Sequence, residues 1–171
     1  MKTLRLEAKD FREVDGYKEY IGKEDLTNFE GNLEFEAGLG WMKFTSIKVS
    51  GYIRIKAGDS IKAGDSIEAG GWIEAGGSVE ALRGGITCGL QLTCKGLLKF
   101  KLRLFAGVSP YSWYENADKT VTCGKLEGNV AYGDVIETGL PSEPSETIPD
   151  EEKEALKLLK KKGYKIVSKN D

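Results

Sequence analysis

The chain has 171 residues, 25 Lys or Arg against 27 Asp or Glu for a formal charge of −2, 40% hydrophobic residues, 22 glycines and no histidine. That length suits one domain with a modest appendage, and the balanced charge lacks the basic excess of a general nucleic-acid binder. The missing histidine removes Ser-His-Asp and Cys-His pairings, imidazole zinc ligands and the commonest general base near neutral pH.

The first residues, MKTLRLEAKDF, place charges where a signal peptide needs a continuous apolar run, and no stretch is apolar enough to span a membrane. Together with three cysteines, an odd number, this predicts reduced thiols in a cytoplasmic protein. Residues 1–30 begin with an alternating strand around Leu4 and Leu6. They are expected to cap a repeat that would otherwise expose an open edge.

From residue 31 the chain takes on a strand-and-corner rhythm. Phe35 to Gly38 reads FEAG, and Ile47, Val49, Ile53 and Ile55 alternate. From Ile55 the units IKAGDS, IKAGDS, IEAGGW, IEAGGS and VEALRG follow, with a branched residue every six positions (Ile55, Ile61, Ile67, Ile73, Val79) and an alanine two positions after each. In a strand those two side chains share one face, with the Lys or Glu between them on the other. Gly-Asp or Gly-Gly then turns the chain. A glycine in every six-residue unit fits no apolar stripe of period 3.6. Short strands separated by corners predict a mainly β, single-stranded β-helix (a β-solenoid), with about three hexads to the turn. Residues about eighteen apart then stack, placing Lys56 over Glu74, Lys62 over Glu80 and Trp72 over Arg54, the last a cation–π geometry. Asp59 and Asp65 read as corner residues that hydrogen-bond their own turns rather than as a convergent acid–base pair.

Downstream, Leu82 to Gly85 shifts the phase, after which Ile86, Leu92, Leu98 and Leu104 again step by six. Cys88, Cys94 and Cys123 read as small inward residues, with metal or redox roles as the alternative. Leu98 to Leu104, LKFKLRL, is an alternating strand with Lys99, Lys101 and Arg103 on its outer face, either solvated or an anion site. The rhythm then breaks at FAGVSPYSWYENADKT. Phe105, Tyr111, Trp113 and Tyr114 crowd this loop, either as a binding surface on a rigid scaffold or as a plug over its side. A strand-rich stretch, KLEGNVAYGDVIETG, ends the solenoid, whose expected limits are 31–139. A Pro/Ser/Glu linker at 140–149 leads to a C-terminal helix and short strand at 150–171. The helix carries acids in its first turn, lysines in its last and Gly163 as its stop.

The GDSIKA units and KLEGNVAYGDVIE resemble the rhythm of bactofilin-like polymer-forming proteins, and small β-solenoid proteins of gut bacteria and phages share such hexads. The hexapeptide acyltransferases are a poorer match, because here Ile precedes Ala and their catalytic histidine has no counterpart. That order favours a right-handed coil.

The function expected is non-enzymatic, with no cofactor and no metal. A rigid face and aromatic loop would be presented to a protein partner, with Phe105, Tyr111, Trp113, Tyr114, Lys99, Lys101, Arg103 and Trp72 as the binding residues. An inhibitor of a host system carried by a phage or mobile element, of the anti-defence or anti-CRISPR kind, fits this class. A bactofilin-like self-assembling homo-oligomer is the alternative. A carbohydrate-binding or carbohydrate-active β-helix using Trp72, Trp113 and the corner acids Asp59 and Asp65 is the second.

Overall fold

The computed structural model describes residues 1–109 and 119–140. These fall in one compact unit, Met1–Pro141, separate from a second, Ser142–Asp171. The helix and short strand expected at 150–171, and all but the first residue of the expected linker, lie outside the described residues.

The chain is mainly β. In order, its strands are β1 (Thr3–Leu6), β2 (Phe11–Val14), β3 (Tyr17–Tyr20), β4 (Asn32–Phe35), β5 (Trp41–Phe44), β6 (Ile47–Val49), β7 (Ile53–Ala57), β8 (Ser60–Ala63) and β9 (Ile67–Ala69). There follow β10 (Ile73–Gly76), β11 (Val79–Ala81), β12 (Ile86–Cys88), β13 (Leu92–Cys94), β14 (Leu97–Ala106), β15 (Thr120–Cys123), β16 (Lys125–Tyr132) and β17 (Asp134–Glu137). A single 3-10 turn, Ala8–Asp10, separates β1 from β2, and the described residues include no α-helix.

The hexads explain the strands. Many are only three residues long, with the first and third buried and the middle one turned outward, as in Ile67–Ala69, Ile86–Cys88 and Leu92–Cys94. Fully burying one such side chain gives about 1.5–3 kcal/mol, less than the backbone entropy of ordering its unit. Stability therefore comes from pairing. Apart from the β2–β3 hairpin, every pair of strands is parallel. In the repeat, partners lie 18 to 20 residues apart, as in Ile61 on Val79 and Ile53 on Ile73.

The pairs make three ladders. The first is the seven-stranded sheet β1-β4-β7-β10-β13-β15-β17. The ten-stranded sheet holds the other two, joined by the long strand β14. Its Leu98–Phe100 segment pairs with β11, continuing β5 and β8, while Leu104–Ala106 pairs with β12, continuing β9 and β6. β16 lies against both halves of β14. Inward residues of all three ladders form one apolar cluster that includes Leu33, Ile53, Ile61, Ile67, Ile73 and Ile86.

The strand expected around Leu4 and Leu6 is β1, and residues 1–30 add strands to both sheets, since β1 pairs with β4 and β3 with β5. Other expectations are corrected. Ala57 is exposed, not inward, because the chain turns at Gly58 (φ 85°) and β7 buries Ile53 and Ile55 instead. That turn lengthens the local step to 20 residues, so Glu74 lies over Arg54 and bonds it at 3.1 Å, leaving Lys56 out of the pair. Lys62 does meet Glu80, at 3.1 Å. Asp59 does not close its own turn. It is buried, and its carboxylate accepts from the N–H groups of Gly38 (2.9 Å) and Gly40 (2.7 Å), one corner back along the ladder. Both glycines have positive φ, which turns their amides together into an anion-binding concavity.

Candidate functional site: an open trough on the third ladder

The outward side chains of each ladder form a row across its strands. On the first, Arg5, Glu34, Arg54 and Glu74 alternate in sign before giving way to Thr93, Thr122 and Ile136. On the second, Lys62, Glu80, Lys99 and Glu127 follow one another in register. On the third, Lys48 and Glu68 are succeeded by Thr87, Phe105 and Tyr132. Opposite charges on neighbouring strands stabilise a ladder, and the ion pairs here are 3.0–3.3 Å long. Only the third row ends in two exposed aromatic residues, Phe105 and Tyr132.

The bend in β14 makes the wall beside that row. The sequence predicts one alternating strand, with Lys99, Lys101 and Arg103 on a single outer face. Instead, the N–H groups of both Lys101 and Leu102 donate to the carbonyl of Gly84, at 3.2 and 3.0 Å, and the strand turns from one ladder to the next. Lys101, Leu102 and Arg103 are all exposed at this corner, Leu102 by 61%. Lys99 remains on the second ladder, where it bonds Glu127 at 3.0 Å. Lys99 and then Lys125 hold the Glu127 carboxyl below the usual carboxylate range, so Lys99 is committed to the row.

Between this corner and Val108–Ser109 two neighbouring open hollows of about 550 and 360 Å³, both lined by Glu68 and Thr87, make a shallow trough. Leu102, Phe105 and Val108 supply its exposed apolar surface, and Tyr132, also exposed, follows Phe105 on the neighbouring strand. Lys119 sits 5.7 Å from the centre of the Tyr132 ring and pairs with Asp134. Of the expected binding residues, the structure thus brings together Phe105, Lys101 and Arg103, and sets Lys99 apart. Tyr111, Trp113 and Tyr114 lie outside the described residues. Leu102, Val108 and Tyr132 were not anticipated. A six-residue frame gives no reason to place Tyr132 beside Phe105, because the two lie 27 residues apart in sequence.

Trp72 lies elsewhere, on the corner leading into the first ladder. Its ring stacks on Tyr52 (centroids 4.3 Å apart, planes 3° from parallel), and the Arg54 guanidinium lies 5.4 Å from its centre. Tyr52 donates its phenol to Glu34 at 2.8 Å, which holds that carboxyl below its ordinary range. One face of the indole is therefore used within the fold. The three cysteines are buried and unpaired with one another. Burial pushes the Cys88 and Cys94 thiols up to about 12 and raises Cys123 as well. Asp65 pairs with Arg83 at 3.1 Å.

No protein-family model, curated protein or solved structure matches the chain. No helix among the described residues is long and apolar enough to cross a membrane.

Proposed function

We propose that the three ladders are the faces of a β-solenoid, and that this scaffold is a binding protein whose third face receives a protein partner. The trough carries the reading. The third row ends in two exposed aromatic residues, Phe105 and Tyr132, and the exposed Leu102 and Val108 stand near it beside a charged corner. A contiguous apolar patch with a polar rim is the usual form of a protein-binding surface. The segment with Tyr111, Trp113 and Tyr114, outside the described residues, follows Val108 and Ser109 in sequence. An inhibitor of a host system would use the surface in this way.

The self-assembling alternative is supported less well. β17 is the last strand of the first ladder, and its Glu137 is in register with the buried Cys123. The Glu137 carboxylate accepts the N–H of Leu126 at 3.1 Å. A further parallel strand would have to lay a side chain over that carboxylate. Antiparallel pairing of β17 with its own copy would oppose Asp134 to Glu137. A charge turned toward the core is a recognised obstacle to edge pairing. At the other end the β2–β3 hairpin lies against β5, in keeping with a capping role for residues 1–30.

The test is affinity capture from the native host with full-length protein, comparing wild type with a Phe105→Ala/Tyr132→Ala variant. At least one captured protein should be lost from the variant. Identical captured sets would overturn the trough as the binding surface, and filaments of the wild type at micromolar concentration would favour the scaffold.

A further inference from the structure

Charge use around the trough is uneven. Lys48 pairs with Glu68, Arg83 with Asp65, and Lys119 with Asp134. Lys101 and Arg103 form no ion pair or side-chain hydrogen bond among the described residues, although both are exposed and flank the protruding Leu102. Two uncommitted cations therefore stand on one wall of the trough, on either side of Leu102 in sequence and sharing its lining with Phe105. Beside the trough, where Lys48, Arg83 and Lys119 each have a carboxylate partner, these two cations are left for a group outside the fold.

From this we infer that the trough takes an acidic amphipathic segment of a protein partner, a refinement that rests on the binding role proposed above. Its apolar side chains lie on Leu102, Phe105 and Tyr132, and its carboxylates reach Lys101 and Arg103. The row from Lys48 to Tyr132 crosses five strands, about 19 Å at the usual spacing between strands. That length accommodates a short segment rather than a whole domain face. Nucleic acid fits less well, since phosphate tracking needs a continuous run of cations and the floor here carries Glu68 and apolar rings.

Fluorescence anisotropy of full-length protein with two labelled amphipathic peptides tests the inference. Both carry the same leucine stripe, with glutamates on the polar face of one and lysines on that of the other. The acidic peptide should bind at least about tenfold more tightly, lose affinity as salt rises, and lose it about tenfold in Lys101→Glu/Arg103→Glu. Phe105→Ala should weaken it while leaving the salt dependence in place. Equal binding of the two peptides would overturn the inference, as would an unchanged affinity in the charge-reversal variant. Tighter binding to a single-stranded oligonucleotide or to anionic phospholipid vesicles would also overturn it. If capture from the host depends on Phe105 and Tyr132 while the peptides bind alike, the binding role stands and only the acidic character of the partner falls.

Discussion

Residues 55–60 and 61–66 are the same six-residue word, IKAGDS, yet the molecule uses the two copies differently at almost every position. Ile55 and Ile61 are both buried. Beyond that, Lys56 is exposed, while Lys62 bonds Glu80 and lies 5.1 and 5.4 Å from the ring centres of Tyr17 and Trp41. Ala57 is exposed and Ala63 fully buried. Asp59 is buried on two glycine amides, whereas Asp65 meets Arg83 with half its side chain exposed. A repeat therefore fixes the alternation of strand and corner but not the identity of the corner. That identity is set by the neighbouring strand, about twenty residues away in sequence.

Paired substitutions test how far the two copies have diverged. Removing Asp59 leaves the N–H groups of Gly38 and Gly40 without their buried carboxylate acceptor, so Asp59→Ala should cost about 2 kcal/mol. Asp65→Ala, which breaks an exposed pair, should cost less than about 0.5 kcal/mol. Urea unfolding of the two variants checks this, and equal midpoints would mean that the corners are equivalent after all.

The lysines come next. Lys62→Ala should cost about 2 kcal/mol, because Glu80 loses a largely buried charged partner, while Lys56→Ala should stay within about 0.5 kcal/mol. Burial works against the Lys62 ammonium, but hydrogen bonds to Glu80 and Tyr17 outweigh it and raise its pKa above the ordinary value of 10.5. A group raised in this way contributes fully below its unfolded pKa and loses that contribution as pH rises through its folded one. The stability gap between wild type and Lys62→Ala should therefore hold at neutral pH and close above about pH 10.5. A gap independent of pH would assign the effect to packing on Tyr17 and Trp41 instead.

The smallest contrast lies in the serines. Ser60 accepts the N–H of Ser78 at 2.8 Å, and Ser78 in turn accepts that of Leu97 at 2.9 Å, whereas Ser66 accepts from Gly85 only at 3.4 Å. Ser60→Ala should cost about 1 kcal/mol and Ser66→Ala a few tenths. Hydrogen exchange at the Ser78 amide would report the first directly, and unchanged protection there would sink the assignment.

The strands of the repeat were legible because each hexad carries its own local physics. A branched residue and an alanine two apart mark one face, and a glycine marks the corner. Ile67, Ile73, Val79, Ile86, Leu92, Leu98 and Leu104 all lie where that rhythm puts them. What the rhythm could not supply was the length of each step, which depends on corners such as Ala57–Gly58 that add residues without adding a strand. An error of two residues was enough to assign Glu74 to Lys56 rather than Arg54. The candidate site suffered for a related reason. Leu102 continues the alternation of LKFKLRL and reads as an inward residue. Its exposure follows from the bend on Gly84, a contact between chain segments that no local pattern encodes. Tyr132 reads as one strand residue among others, and only its pairing with Phe105 sets it next to the trough.

The row that floors the trough also sets a length scale. Its side chains recur at the spacing between neighbouring strands, about 4.8 Å. Three residues of an α-helix advance about 4.5 Å, so a helix laid along the row stays nearly commensurate with it, bringing a fresh residue over each strand. An extended chain advances about 3.3 Å per residue and returns to step only at every third residue, over every second strand. On the binding role proposed above, apolar anchors three or four apart in a helical partner would match the spacing of Phe105 and Tyr132, which lie on adjacent strands.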